Sequence, residues 1–390
     1  MMNKKQIIGI VIFVLIIVGV IGYKLLSNGG EIVDSNAKTI YVATGGGKED
    51  FLADERVNQI FRKKYKVSPV FDSWSNGKTV KLPLIRESVG LGNGDATGLT
   101  IRSEGASKYD ALFTSDQRFY DYYRLSPNTE AGEADRYAVL EGSLTLNTPI
   151  VIYSWGPIVD ALIKEQIVTK GEDGVYYITD MVKLMNYILE GKKWSDIGLP
   201  NLYGTINISS TDPVTSSPGA TYYGLLLAIL SENHITDENL EGNLAKLKEF
   251  YLKSGYMNNT PADLFESYLK TGMGGRPMIV DYEKSIIDFA NSNPTGFESV
   301  KNDIRVLYPS PTIWNSHCLT IFTEEGKKLY EAMNDEEIQQ IAFNKYGFRT
   351  GITGGVYDVS SLGLALPKSI TSTVTSLKMD TYNKLIDYLK

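Results

Sequence analysis

Four short stretches carry side chains and backbone suited to holding a small ligand. Thr44-Gly45-Gly46-Gly47-Lys48 lies between an apolar run and a helical one. Glycines let backbone N–H groups approach a ligand, and a helix N-terminus adds unpaired donors and about half a positive charge, so an anion suits that place. G-G-G-K lacks the spacing of a Walker A loop or a dinucleotide fingerprint, and a bare turn would account for it equally. Thr211-Asp212-Pro213-Val214-Thr215-Ser216-Ser217-Pro218-Gly219-Ala220 precedes the apolar run Leu225–Leu230. Ser217 fits a helix N-cap with Pro218 at the first helical position, leaving the N–H groups of Gly219, Ala220 and Thr221 directed out of the helix end. A purely structural cap competes with that reading, since Ser-Pro pairs open helices for stability alone. Thr114-Ser115-Asp116 ends a buried run, where α/β sheets place ligands, although strand-end hydroxyls also serve as caps. Asp281-Tyr282-Glu283 follows another such run. Glu283 there orients a donor, coordinates a cation, or simply occupies the first turn of a helix.

Enzyme signatures are missing. There is no G-x-S-x-G and no H-E-x-x-H, and a Ser/His/Asp triad would rest on His234 or His317. His234, in the polar stretch SENHITDEN, reads as a solvated loop residue, and His317, beside Cys318, as a satisfied interior histidine. Glu324/Glu325 and Glu336/Glu337 read as surface groups complementing helix dipoles. Trp74, Trp155, Trp194 and Trp314 flank loops, where one or two could line a cleft, with core filling as the default. One cysteine and two histidines rule out an intrachain disulfide and a His-rich zinc site. No catalysis, no cofactor and no metal are expected.

The elements that position these stretches alternate between strand and helix, the pattern of an α/β protein with largely parallel sheets. Strands are expected at Thr39–Ala43, Pro69–Phe71, Tyr109–Thr114, Pro149–Tyr153, Thr205–Ile208, Pro277–Asp281, Ile304–Tyr308 and Cys318–Phe322. Ala53, Val57, Ile60 and Phe61 share one face of a helix. Asp180 opens a helix that Gly191 closes, and Thr260-Pro261 opens one that Gly272 ends. Further helices cover Thr323–Met333, Asn334–Lys345 and Asp380–Leu389, while Gly90–Gly105 reads as irregular. No low-complexity linker divides the chain, so two lobes would be joined by strands crossing between them, with Pro149–Tyr153 and Ile304–Tyr308 as candidates.

With 390 residues, 43% hydrophobic and 22% charged, the chain has material for two lobes of ordinary domain size or one large α/β unit. Ile7–Tyr23 is uncharged and almost wholly apolar, preceded by Lys4 and Lys5 and closed by Lys24. Its length suits a transmembrane helix better than a secretory signal, so an uncleaved anchor at 1–27 and a tether at 28–38 are expected, with a cleaved signal peptide as the alternative. The lysines before the run stay cytoplasmic, which places the body outside the cell. Removing Lys4, Lys5 and Lys24 from the 39 basic residues leaves 36 against 46 acidic, about -10 for the exported part. That balance argues against nucleic acid as a partner.

Taken in order, these segments resemble the extracellular solute-binding proteins of ABC importers, in particular the type II group with molybdate-, sulfate- and iron-binding members. The resembling segments are TIYVATGGGKEDF, DSWSNG, YDALFTSD, INISSTDPVTSSPGATYYGLLLAIL, MIVDYE and IAFNKYGFRTG. The resemblance implies an α/β, two-lobed, type II periplasmic-binding-protein-like fold, here with an N-terminal transmembrane helix. Residues 39–148 with 309–390 would form lobe I and 149–308 lobe II. It implies a monomeric receptor that closes on a small solute and delivers it to an ABC permease in the membrane. The implied ligand contacts are Thr44, Gly45, Gly46, Ser73, Ser75, Thr114 or Ser115, Ser216, Ser217, Gly219 and Tyr282. An oxyanion is the expected solute. A sugar or peptide ligand, or a non-transport sensor or interaction module of the same fold, are the alternatives.

Overall fold

The computed structural model describes residues 36–73, 109–118, 120, 140–255, 257–350 and 362–390. The expected anchor, most of the tether, Trp74, Ser75 and the Gly90–Gly105 stretch lie outside them. Among the described residues, no helix is long and apolar enough to cross a membrane.

The first elements are β1 (Lys38–Thr44), α1 (Glu49–Leu52), α2 (Glu55–Lys63), β2 (Val67–Ser73), β3 (Ala111–Phe113) and β4 (Glu141–Trp155). Then come α3 (Gly156–Lys164), β5 (Val168–Lys170), β6 (Tyr176–Ile178), α4 (Met181–Leu189), α5 (Ser217–Leu230), α6 (Asp237–Lys253), α7 (Pro261–Gly275) and β7 (Met278–Tyr282). The chain continues through α8 (Lys284–Ser292), α9 (Pro294–Val300), β8 (Ile304–Pro309), β9 (Thr312–Ile321), α10 (Lys327–Met333) and α11 (Glu336–Tyr346). It closes with β10 (Arg349–Thr350), β11 (Thr373–Val374) and α12 (Met379–Leu389).

Two sheets share one long strand. In the first lobe the order is β2-β1-β3-β9-β4, with β1 parallel to β2 and β3, and β9 antiparallel to β3 and β4. Beyond Pro149, β4 leaves β9 and pairs with β7 and β8 of the second lobe, where β6 and β5 complete the sheet. A second crossing runs from β8 through the cis Ser310–Pro311 bond into β9. The sheets are therefore mixed rather than largely parallel: the long strands β4 and β9 run antiparallel to each other, β9 also to β3, and β4 also to β7 and β8. Pro149–Tyr153 lies inside the crossing strand, whereas Ile304–Tyr308 stops in the second lobe just before the crossing.

Each lobe buries its own apolar cluster. Ile40, Val42, Phe51, Val57, Phe61, Phe113 and Ile338 belong to the first, and β4, β7, β8 and the helices around them build the larger second. α5 is apolar on all sides (SPGATYYGLLLAIL), which suits a helix buried from Pro218 to Ala228 at the centre of the second lobe. The C-terminal stretch departs from its expected lobe: Val374, Leu377, Leu385 and Leu389 bury in the larger cluster, where α12 lays its apolar face near α6 and α5. Other departures are local. Asp54 caps α2 and so separates it from α1, leaving Ala53 exposed, and Thr205–Ile208 makes only an isolated bridge to Lys193. The helix expected from Thr323 begins at Lys327. Asp180, Gly191 and Thr260 act at the positions their types suggest, whereas Gly272, at φ +63°, kinks α7 three residues before its end instead of closing it.

Candidate functional site

The parallel strands β1, β2 and β3 end on one edge of the first sheet, which brings Thr44, Ser73 and Phe113 into register there. Beyond that edge the Thr44–Lys48 and Thr114–Asp116 turns are sewn together. Gly45 N–H donates to Phe113 O at 3.0 Å, and Ser115 Oγ donates to Gly46 O at 2.7 Å. Lys48 folds back into the same turn: its buried ammonium donates to Gly45 O at 2.8 Å, lies 3.4 Å from Ser115 Oγ, and sits 4.7 Å from the Phe113 ring centre. Gly47 takes φ +84°, a backbone state that L side chains rarely adopt.

Several of the expected contact residues are spent on the turns themselves. Thr44 Oγ1 donates toward Gly45 O and Phe113 O, and Thr114 Oγ1 donates to Asp116 O. Both threonines are buried. Gly219 has a packing role, since a Cβ there would stand 2.2 Å from Thr211 O. The cap of α5 falls one residue earlier than expected, at Ser216, because the Asp212 carbonyl takes the Ser216 N–H. Ala220 N–H then bonds to Ser216 O inside the helix, so the outward donors of that first turn are the amides of Ser217 and Gly219.

Tyr282 joins the two groups of turns. It ends β7 with its side chain buried, near Ser217 of α5 and within electrostatic reach of Asp116 and Arg118. Burial pushes its ionisation well up, so it acts as a neutral hydrogen-bonding group. Thr44, Gly45, Gly46, Ser73 and Ser115 thus form one cluster in the first lobe, and Ser216, Ser217 and Gly219 a second in the other lobe, with Tyr282 between them. Ser75 lies outside the described residues.

Sequence reasoning left Arg118 out of the site. Asp116 and Arg118 form a buried ion pair, with Arg118 Nε 3.0 Å from each carboxylate oxygen. Burial opposes the Arg118 charge, but adjacent Asp116 outweighs it and holds the guanidinium ionisation above its usual value. The pair lines a small pocket, with a cavity of about 10 Å³, together with Thr221, Trp314 and Asn315, so Trp314 faces the pocket whereas Trp155 and Trp194 are core residues. Spacing offered one signal: Arg118 follows the strand-end Asp116 by two residues, close enough to pair across a turn.

The neighbouring charged groups are structural. Glu283 is fully buried and receives two bonds from Arg349 and one from the Tyr308 hydroxyl, which settles its role as an interior anchor. His317 is interior but not satisfied: Nε2 is 3.4 Å from Asn315 Nδ2, while Nδ1 has no partner among the described residues. Burial, followed by the charges of Lys48 and Lys284, lowers its ionisation far below the usual imidazole value. His234 is exposed, as its polar stretch suggests.

No protein-family model matches the sequence, and no curated protein is significantly similar to it. Solved structures are similar in fold. A provisionally assigned extracellular solute-binding protein from Bordetella parapertussis superposes with TM-score 0.55 at 13% identity, covering 90% of this chain and 96% of the other. The apo ferric ion-binding protein A of Pasteurella haemolytica gives the same four values. An iron- and citrate-bound protein (IdiA, FutA) from Trichodesmium superposes with TM-score 0.51 at 16% identity, covering 90% and 97%. The chain therefore has the two-lobed α/β fold of solute-binding proteins.

Proposed function

We propose that the chain is a non-enzymatic, membrane-tethered receptor that holds a small solute between its lobes and delivers it to an ABC-type permease. One observation carries the reading. Ser115 ties the Thr44–Gly47 and Thr114–Asp116 turns together, and Asp116 at the end of the second turn lines a small pocket with Ala220 and Thr221 of α5. Hydroxyls and amides gathered at a joint between two α/β units suit binding by lobe closure. The proposed contacts are Gly45, Gly46, Ser73, Ser75, Ser115, Ser216, Ser217 and Tyr282, with Thr44, Thr114 and Gly219 shaping the turns that hold them. Iron is the cargo named for two of the similar structures, but a fold does not transfer a ligand. Ile7–Tyr23 is the proposed membrane anchor, which puts the body outside the membrane, and the body is proposed to be a monomer.

Thermal melting of the full chain in mild detergent tests the receptor reading. A solute at 100 times its dissociation constant adds roughly 2.7 kcal/mol of stability. Stabilisation by at least one oxyanion, sugar, amino acid or peptide is expected, or a solute carried through purification and seen by native mass spectrometry. Failure of both, together with capture of a protein partner by the same surface, would establish the interaction-module alternative. Retention of the chain in carbonate-washed membranes is expected, and release of a shortened chain would show a cleaved signal instead.

A further inference from the structure

The strands β1 and β2 are parallel and in register from Lys38 beside Val67 to Thr44 beside Ser73, so their first residues form the sheet edge opposite the ligand turns. The length of β1 puts that edge about 20 Å from Thr44. There α2 ends in Arg62-Lys63-Lys64-Tyr65-Lys66, which leads straight into β2. Lys38 joins the group, because its backbone N–H donates to Lys66 O at 2.8 Å. Two carboxylates answer these cations: Glu325 pairs with Lys38, and Asp335 with Lys64. Both paired lysines still keep more than half of their side chains in solvent. Lys63 and Lys66 are exposed, and Lys63 meets no carboxylate among the described residues. A body that carries about -10 thus has one positive corner.

We propose that this corner docks on an anionic lipid surface and parks the body with its ligand edge turned away from the membrane. The docking rests on the anchor reading of Ile7–Tyr23. Under that reading the chain leaves the bilayer after Tyr23 and enters β1 at Lys38, itself a member of the cluster. The stretch from Lys24 to Ala37 spans at most about 50 Å, so the basic corner is the part of the body held nearest the lipid. Tethering raises its effective concentration at the surface, and a few weak ion contacts then suffice. Charge sets the orientation. Attraction to lipid phosphates fades within ~10 Å at 0.1 M salt, so only a face with its own surplus of cations gains by contact, while the acidic remainder is repelled. Long lysine and arginine stems let the charged heads reach the phosphates without burying backbone. An acidic protein could satisfy the same cations, but the tether brings this corner to lipid whatever else is present. Delivery to a permease then requires release from the lipid, which weak, screened contacts allow.

The test is lysine footprinting of the full chain in nanodiscs, made of phosphatidylcholine alone or of equal parts phosphatidylcholine and phosphatidylglycerol. An N-hydroxysuccinimide acetate reagent labels the lysines, and mass spectrometry reads each rate. Lys63 and Lys66 are expected to react at least threefold more slowly in the anionic discs at low salt, while Lys170 and Lys253, exposed in the second lobe, keep their rates. Salt of about 0.5 M, which shortens the screening length to roughly 4 Å, is expected to restore the two slowed rates. The Arg62→Gln/Lys66→Asn variant is expected to lose at least half of the protection at Lys63; asparagine suits the positive φ of position 66. If that variant does not fold, the lipid and salt comparisons still report on the unaltered protein. Equal rates at Lys63 and Lys66 in both discs would overturn the docking. Equal slowing at Lys170 and Lys253 would show general adhesion and overturn the assignment to this corner. A shortened chain recovered outside the discs would overturn the anchor and the docking together, and leave the solute-receptor reading standing.

Discussion

Glu283 and Arg349 meet in the interior through two parallel bonds, Nε to Oε1 and a terminal nitrogen to Oε2, each 2.7 Å. Glu283 follows β7 of the second lobe, whereas Arg349 sits in β10, which pairs with the first-lobe half of β4. The same guanidinium donates to Pro367 O at 2.7 Å, which ties the C-terminal stretch to this joint. Removing one partner leaves a buried charge uncompensated, so Arg349→Met or Glu283→Gln is expected to cost about 3–5 kcal/mol in a denaturant titration. Tyr308→Phe, which removes one hydrogen bond to Glu283, is expected to cost about 1–3 kcal/mol. A loss below 1 kcal/mol for Arg349→Met would show that the pair does not hold the joint.

Asp281 makes a different prediction on the pH axis. It is buried, Oδ1 accepts the Tyr282 N–H at 2.7 Å, and Oδ2 has no partner among the described residues. Burial pushes its ionisation up to about 7. The unfolded value is about 3.9, so the folded state binds the proton more tightly, and stability falls as pH rises from about 4 to about 7. Asp281→Asn is expected to match the parent at pH 4 and to exceed it at pH 8 by roughly 2–4 kcal/mol. A difference independent of pH would contradict this account.

Asp54 and Asp335 produce the opposite slope. Each caps a helix and also accepts a Lys–Tyr pair from the end of the other's helix: Lys345 and Tyr346 on Asp54, Lys64 and Tyr65 on Asp335. Burial raises both ionisations, but these bonds outweigh it and leave each carboxyl below its usual value. The folded values then lie below the unfolded ones, so the contribution is present above about pH 4 and fades as pH falls further. Both lysines are more than half exposed, which screens the ionic part. Replacing either aspartate by alanine is expected to cost about 1 kcal/mol through the lost cap. The double Asp→Asn variant should flatten the acid limb of stability against pH, and an unchanged limb would remove the carboxylates as its source.

Gly219 and Gly242 form a matched pair of helical glycines. A Cβ on Gly219 would stand 2.2 Å from Thr211 O, so Gly219→Ala is expected to cost about 1–3 kcal/mol and to displace the first turn of α5. Gly242, exposed on α6, has nothing within 4 Å of that position, and Gly242→Ala is expected to add up to about 1 kcal/mol. Equal effects in thermal melting would reject the packing role given to Gly219.

Elements whose causes lie within a few residues were legible in the chain itself. Thr39–Ala43 announces β1 by its apolar β-branched run, Asp180 and Gly191 bracket α4, and Thr260-Pro261 opens α7, because a cap or a positive φ is a property of one turn. The set of loops at the ends of β1, β3 and β7 was legible for the same reason. No local pattern could show that β4 continues through fifteen residues into a second sheet, that Arg349 answers Glu283 from 66 positions away, or that the C-terminal helix buries in the larger core. Nor could it show Arg118 and Asp116 sharing a pocket wall with Thr221 and Asn315. Those relationships depend on which surfaces come together when both lobes pack, and burial, not spacing along the chain, selects them.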